Sequence, residues 1–169
     1  MKALILAGGS GSRLRPLTQT GAKQLLPVGN KPIIHYVLEN IRAAGITDVG
    51  VIVGSETAAG IQRDLQDGSQ WDLQTTYIYQ EEPLGLAHCV ILAEEFLHQE
   101  SFVMYLGDNL LKGGIGSFAT AFREKKPNVL TLLREVQNPT EFGVAEFQDN
   151  GRLKRLVEKP ASPPSNWAL

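Results

Sequence analysis

Apolar runs of strand length alternate with stretches of helical period along the first hundred or so residues, and no other feature of the chain restricts its fold as much. The run 2–7 leads directly into a glycine-rich turn. Over residues 31–44, Ile33, Ile34, Val37, Leu38 and Ile41 recur at spacings of three and four; Asn30 is the expected N-cap, Pro32 lies in the first turn, and Gly45 follows the end. A short continuous apolar run covers 49–53, a weaker helical pattern covers 57–66, and 75–79 is rich in β-formers. Helical spacing returns over 86–97, and a further strand, 102–106, stops at Gly107-Asp108-Asn109.

Strands that are apolar throughout are buried on both faces, which requires helices above and below them. The expected fold is therefore α/β: a Rossmann-like, three-layer, mostly parallel sheet with helices on both faces, binding ligands beyond the carboxyl ends of its strands. After a helical stretch near 115–125 the pattern changes to strands at 129–136, 143–147 and 153–157, the last two separated by Asn150-Gly151, a type I′ hairpin signal. This predicts an antiparallel C-terminal portion. Residues 159–165 read as an extended connector. Trp167-Ala168-Leu169 is either a short packed tail or the opening of another apolar run in a longer polypeptide.

Composition narrows the function. With 169 residues, 16 Lys+Arg against 18 Asp+Glu and a net charge of −2, one domain spanning 1–169 is expected. There is no charge bias that would favour nucleic acid or anionic lipid. No apolar run approaches the ~20 residues of a membrane helix, and the start lacks the layout of a signal peptide, so a cytoplasmic protein is expected. The single cysteine, Cys89, excludes an internal disulfide; with only His35, His88 and His98 it leaves no His/Cys zinc cluster.

The turn after the first strand carries the strongest chemical signal. Gly8, Gly9 and Gly11 allow backbone N–H groups to approach an anion, Ser10 and Ser12 add hydroxyl donors, and Arg13 adds a planar cation suited to triphosphate oxygens. The loop is not G-x-G-x-x-G, because Leu14 stands where the third glycine would be, and no G-K-[ST] closes it as a Walker A loop. A tight strand-to-helix turn that needs glycine for geometry alone remains the other reading.

Asp108 follows a strand expected to be buried, where a carboxylate must be paired or bound to metal; a Mg²⁺ ligand and a helix N-cap fit equally well from the residues alone. Gln80 and Gly85 flank a Pro-Leu turn after a strand. His35 and His88 fall within helices as packed or capping groups, Cys89 as a small buried hydrophobe, and Tyr77 and Tyr79 as packed sheet residues. Lys125-Lys126 and the group Arg152, Lys154 and Arg155 read as solvated faces without the aromatics that single-stranded nucleic acid requires.

The glycine loop, followed by Lys23-Gln-Leu-Leu-Pro-Val and Lys31-Pro32, resembles the signature of the sugar-1-phosphate nucleotidylyltransferases. Gly-Ile-Thr-Asp at 45–48, Pro-Leu-Gly-Leu-Ala-His at 83–88 and Met-Tyr-Leu-Gly-Asp-Asn at 104–109 are similar to the glucose-1-phosphate thymidylyltransferase branch, in its long subgroup. The resemblance covers the whole chain and implies a sheet of the nucleotide-diphospho-sugar transferase type, cut before the family's remaining sheet and C-terminal region. It implies that Leu6, Gly8, Gly9, Ser10, Gly11, Ser12, Arg13, Lys23, Gln24, Gln80 and Gly85 bind the nucleotide, with Gln80 and Gly85 reading the pyrimidine edge. Asn109, Gly143, Glu158 and Lys159 would hold the sugar phosphate. Asp108 would bind Mg²⁺ with a second aspartate much further along, for which this chain has no match.

The reaction implied is attack by a glucose-1-phosphate oxygen on the α-phosphorus of dTTP or UTP, giving the nucleotide-sugar and pyrophosphate. Arg13, Lys23 and Mg²⁺ on Asp108 would supply the positive charge that two anions need in order to meet. The attacking oxygen is already ionised, so no general base is required. If the second carboxylate is truly missing, nucleotide binding without turnover is the alternative. The family usually assembles as homo-oligomers.

Overall fold

A computed structural model of the 169-residue chain describes residues 1–9, 11, 14, 16, 17 and 21–169. It divides into two compact units, 1–124 and 125–169.

The first unit runs β1 (Lys2–Leu6), β2 (Pro27–Val28), β3 (Lys31–Pro32), α1 (Ile33–Ala43), β4 (Asp48–Val53), α2 (Ala58–Leu65), β5 (Gln74–Tyr79), α3 (Leu86–Leu92), α4 (Glu94–Leu97), β6 (Phe102–Leu106) and α5 (Gly116–Lys125). Its main sheet has four strands in the order β5-β4-β1-β6, every neighbouring pair parallel. β1 is central and β4 is one strand in from the other edge, which is why both are apolar without alternation: Ala3, Leu4, Ile5, Val49, Val51, Ile52 and Val53 are wholly buried.

The two faces of the sheet carry separate cores. On one, Ala3, Ile5, Val49, Val51 and Val53 pack with Ile34, Val37, Leu38 and Ile41 of α1, Ile61 and Leu65 of α2, and Ala119 of α5. On the other, Leu4, Leu6 and Ile52 pack with Cys89, Ala93 and Leu97 from the α3–α4 region. A fully buried Leu or Ile contributes about 1.5–3 kcal/mol, so β1 alone anchors both layers. This is the three-layer α/β arrangement expected from the alternation. After β5 the chain returns across the sheet to pair β6 with β1, so strand order reverses beside β1; a crevice at that reversal, beyond the carboxyl ends, is where such sheets bind ligands.

Three local expectations need correction. Residues 31–32 do not open a helix: Lys31 and Pro32 pair with Val28 and Pro27, α1 starts at Ile33 behind Pro32, and Asn30 lies in the hairpin turn rather than at an N-cap. The helical stretch 86–97 is interrupted at Ala93, whose dihedrals of −87° and 5° separate α3 from α4. Tyr79 is 53% exposed at the sheet edge and its hydroxyl accepts from Gln62 Nε2 at 2.8 Å, whereas Tyr77 packs against the core as expected.

The second unit holds β7 (Arg134–Glu135), β8 (Gly143–Phe147), β9 (Leu153–Glu158) and β10 (Trp167–Ala168), an antiparallel sheet in the order β7-β10-β8-β9. The strand expected over 129–136 shrinks to two residues, with Val129 left 76% exposed. The Asn150-Gly151 signal does mark the hairpin, but not as a type I′ turn. Only Gly151 has positive φ (77°); Gly151 N–H donates to Gln148 O, and Gln148 N–H donates to Arg152 O, which makes a three-residue loop with a bulge. The last residues form β10, between β7 and β8.

Candidate functional site

The carboxyl ends of β1, β4 and β6 are tied to one another by backbone hydrogen bonds. Ala7 N–H donates to Ile52 O at 2.9 Å and Gly107 N–H to Leu6 O at 3.0 Å, so the glycine loop leaves the sheet flanked by the ends of both neighbours. Gly8 passes very close to the loop after β4. A Cβ on Gly54 would lie 2.7 Å from Gly8 O, and one on Gly8 would lie 3.3 Å from Gly54 N, so side chains are excluded on both sides. Thr57 fixes this crossing: its buried hydroxyl donates to Ala7 O at 3.1 Å and accepts from Gly54 N–H at 3.0 Å. Gly54 and Thr57 went unnoticed in the sequence, where the only available signal was a glycine directly after a buried strand.

Lys23 begins a single 3₁₀ turn, Lys23–Leu25, and its side chain returns past the loop: a Cβ on Gly9 would sit 3.7 Å from Lys23 Cε. The Lys23 ammonium reaches Asp108 Oδ2 at 2.6 Å. Next to it, Gln24 is 1% exposed and stacks over Gly107, where a Cβ would come within 3.1 Å of Gln24 Cγ. Gln24 Oε1 is buried with no hydrogen-bond partner, an unsatisfied acceptor of the kind that folded proteins seldom leave without reason.

Gln80 follows β5 and extends its ladder, donating its N–H to Val53 O at 2.9 Å. Its amide Nε2 lies 3.4 Å from Gly85 O and 3.1 Å from His88 Nδ1, and its Oε1 would be 3.5 Å from a Cβ on Gly8. Gly85 has φ +95°, the left-handed region that favours glycine, and among the described residues none accepts from its amide N–H. Cys89, one helical turn on, is buried and directs its thiol at Gly85 O at 3.5 Å; burial pushes that thiol up, opposed by a smaller effect of Gln80. His35 pairs with Asp64 at 2.6 Å and meets Trp71 edge to face, a packing role as expected.

The sequence candidates thus gather in two sets. Within the first unit, Leu6, Gly8, Gly9, Lys23, Gln24, Gln80 and Asp108 cluster at the strand ends, joined by Gly85 through Gln80. Asn109 caps the turn after β6 by donating its N–H to Leu106 O. Within the second unit, Gly143 and Glu158 are register partners, and a Cβ on Gly143 would lie 3.2 Å from Glu158 Oε2. Lys159 follows, with φ +41°, its N–H donating to Phe142 O at 2.9 Å and its ammonium 3.7 Å from Glu158. Gly11 is described without a side chain to assess, and Ser10, Ser12 and Arg13 lie outside the described residues.

For a divalent cation the donor set is small. Among the described residues no three His, Cys, Asp or Glu side chains stand together. Asp108 is part-exposed, and the partner recorded for it is Lys23 at Oδ2. One carboxylate completed by phosphate oxygens and water suits Mg²⁺, which retains several waters and seldom takes an all-protein cage.

The family model described as nucleotidyl transferase matches residues 2–169, and the chain belongs to that family. It is 52% identical over 169 residues to a glucose-1-phosphate thymidylyltransferase of Streptomyces griseus, covering 100% of this chain and 47% of that protein. It is 48% identical to the low-salt glycan biosynthesis nucleotidyltransferase Agl11 of Haloferax volcanii, again over 100% of this chain and 47% of that one. The chain spans about half the length of these curated relatives. Among solved structures, a Bacillus anthracis protein described as a glucose-1-phosphate thymidylyltransferase, crystallised with sucrose, superposes with a TM-score of 0.94 at 36% identity, covering 100% of this chain and 68% of that one. A UDP-glucose pyrophosphorylase complexed with UDP-glucose shares the fold at a TM-score of 0.81 and 23% identity, covering 99% and 72%. No helix among the described residues is long and apolar enough to cross a membrane.

Proposed function

We propose that this chain binds a pyrimidine nucleoside triphosphate, dTTP or UTP, and serves nucleotidyl transfer to glucose-1-phosphate with release of pyrophosphate. The observation that carries the reading is the meeting of Lys23 with Asp108 beside Gly9, a cation and a carboxylate at the reversal point of the sheet. Lys23 and the loop amides would neutralise the triphosphate, aided by Arg13, and Gln80 with Gly85 would meet the base. Asp108 would hold Mg²⁺, which when bound supplies charge neutralisation at the reacting phosphate. Glu158, Gly143, Lys159 and Asn109 would receive the sugar phosphate, whose own ionised oxygen attacks the α-phosphorus in line, so that positioning and electrostatics carry the rate.

The relatives' names support this reading, and so does the absence of any need for a base or a covalent nucleophile. A second reading, nucleotide binding without turnover, is favoured by the lack, among the described residues, of any group of three His, Cys, Asp or Glu side chains that includes Asp108. A grid of nucleoside triphosphates against sugar-1-phosphates with Mg²⁺, scored by pyrophosphate, separates the two. Release with dTTP or UTP plus glucose-1-phosphate supports transfer; binding of dTTP with no pyrophosphate supports the second reading; neither binding nor release sinks both. Asp108→Asn is expected to abolish activity or its Mg²⁺ dependence, and an unchanged Mg²⁺ titration removes Asp108 from the site.

A further inference from the structure

Gln80 is 9% exposed, so the direction its amide faces is set by the groups around it. Nε2 lies 3.1 Å from His88 Nδ1 and 3.4 Å from Gly85 O. An amide nitrogen only donates, so both neighbours must accept. The Gly85 carbonyl can do nothing else. The imidazole accepts at Nδ1 only as the neutral ring with its proton on Nε2. Both amide hydrogens are thereby engaged within the protein, and Oε1 is left toward Gly8, the first residue of the glycine loop.

We infer that His88 is a specificity-determining positioning residue: by accepting from Gln80 Nε2 it fixes the amide with its oxygen presented to the ligand. An amide reversed by 180° has almost the same shape, so packing alone selects weakly between the two orientations; the Gly85 carbonyl accepts in every state, and His88 held as the Nε2–H tautomer adds a second acceptor, so that together they select the orientation with Nε2 inward. A lysine or arginine at 88 would offer only donors and turn the oxygen inward. A presented acceptor pairs with the ring N3–H of thymine or uracil and is repelled by N3 of cytosine, which is itself an acceptor. The occupant selected is thus an imide-bearing pyrimidine. This inference rests on the reading that Gln80 meets the base, and it adds a histidine that the sequence pattern left as a packed helix residue.

Two measurements test it, both on the 169-residue chain. The first, ¹⁵N NMR of the His88 ring, is independent of any ligand: Nδ1 unprotonated and Nε2 protonated is expected, and the reverse tautomer overturns the inference. The second is calorimetric binding of dTTP, dCTP and inorganic tripolyphosphate to the wild type and to His88→Leu, His88→Gln and Gln80→Leu. His88→Leu is expected to reduce the preference for dTTP over dCTP by about tenfold, the scale of one hydrogen-bond discrimination, with tripolyphosphate affinity unchanged. His88→Gln, which retains an acceptor, is expected to restore the preference. If the preference survives in His88→Leu but is lost in Gln80→Leu, or if His88→Leu weakens all three ligands alike, the role of His88 is overturned. If it survives in Gln80→Leu, the base reading itself fails and takes the inference with it.

Discussion

The Lys23 ammonium and the Asp108 carboxylate lie 2.6 Å apart, joining the segment after the glycine loop to the end of β6. Each is under one-third exposed, 28% and 29%, and each is the counter-charge of the other among the described residues. A cation arriving at Asp108 therefore competes with Lys23. Lys23→Met should raise the affinity of the ligand-free chain for Mn²⁺ by roughly three- to tenfold, as expected from removing one neighbouring like charge in a partly solvated setting. The same variant should lower turnover ~10²-fold or more, as loss of one preorganised charge does. Electron paramagnetic resonance of bound Mn²⁺ and a pyrophosphate assay read the two effects; weaker Mn²⁺ binding would contradict the competition.

Arg13 lies outside the described residues, and in the sequence it closes the glycine loop proposed to hold phosphate. Arg13→Ala is expected to lower turnover ~10²-fold or more. Lysine at this position should recover only part of that loss, because a point charge cannot reproduce a planar two-pronged donor. Near-normal turnover in Arg13→Ala would refute the assignment of the loop to phosphate.

Gly54→Ala tests the crossing of the two loops. The added methyl would meet Gly8 O at 2.7 Å, backbone against backbone, with no flexible group to yield. About 1–3 kcal/mol of destabilisation is expected, the usual scale of overpacking, together with weaker dTTP binding as Gly8 is pushed aside. Thermal unfolding and calorimetry measure the two; an unchanged midpoint and affinity would mean that the loops part easily.

Thr57→Val keeps the shape at the same crossing and removes only the hydroxyl. Ala7 O then loses its donor at 3.1 Å and Gly54 N–H its acceptor at 3.0 Å, both in a buried setting. A loss of about 1–3 kcal/mol in denaturant unfolding is expected. A cost close to zero would indicate that water replaces the hydroxyl.

Cys89 is buried beneath Gly85, and burial holds its thiol above the ordinary range, so little thiolate is present near neutral pH. Alkylation by iodoacetamide at pH 8 should be far slower than for a free cysteine, and should accelerate when Gly85→Pro disrupts the start of α3. Rapid labelling of the native chain would contradict this packing.

What could be read from the chain and what could not divides along physical lines. β1 and β4 were evident because strands buried on both faces leave almost no polar positions, β6 was legible as an apolar run although it is an edge strand with Met104 45% exposed, and the parallel three-layer arrangement, though not the strand order, followed from alternation with helices. The start of α1 was misplaced because Pro32 suits the first turn of a helix and an edge ladder equally well, and only the partner at Pro27 decides between them. Gln80 and Asp108 could be nominated from motifs, but the orphaned oxygen of Gln24, the Thr57 anchor and the His88 contact are through-space facts with no periodicity to announce them. The brief β7 was overestimated because Leu130, Leu132 and Leu133 have the composition of a strand, while strand formation also needs a neighbour.

Gln80 leaves the sheet from one margin and Asp108 from the opposite one, with β4 and β1 between them. Three strand spacings amount to about 14 Å. A molecule gripped at both points is a clasp across the full breadth of the sheet, joining margins that no covalent segment links directly at that end. Such occupancy should raise the melting temperature by mass action and slow amide hydrogen exchange in both outer strands together, and a ligand so held would serve as a temporary structural member of the fold.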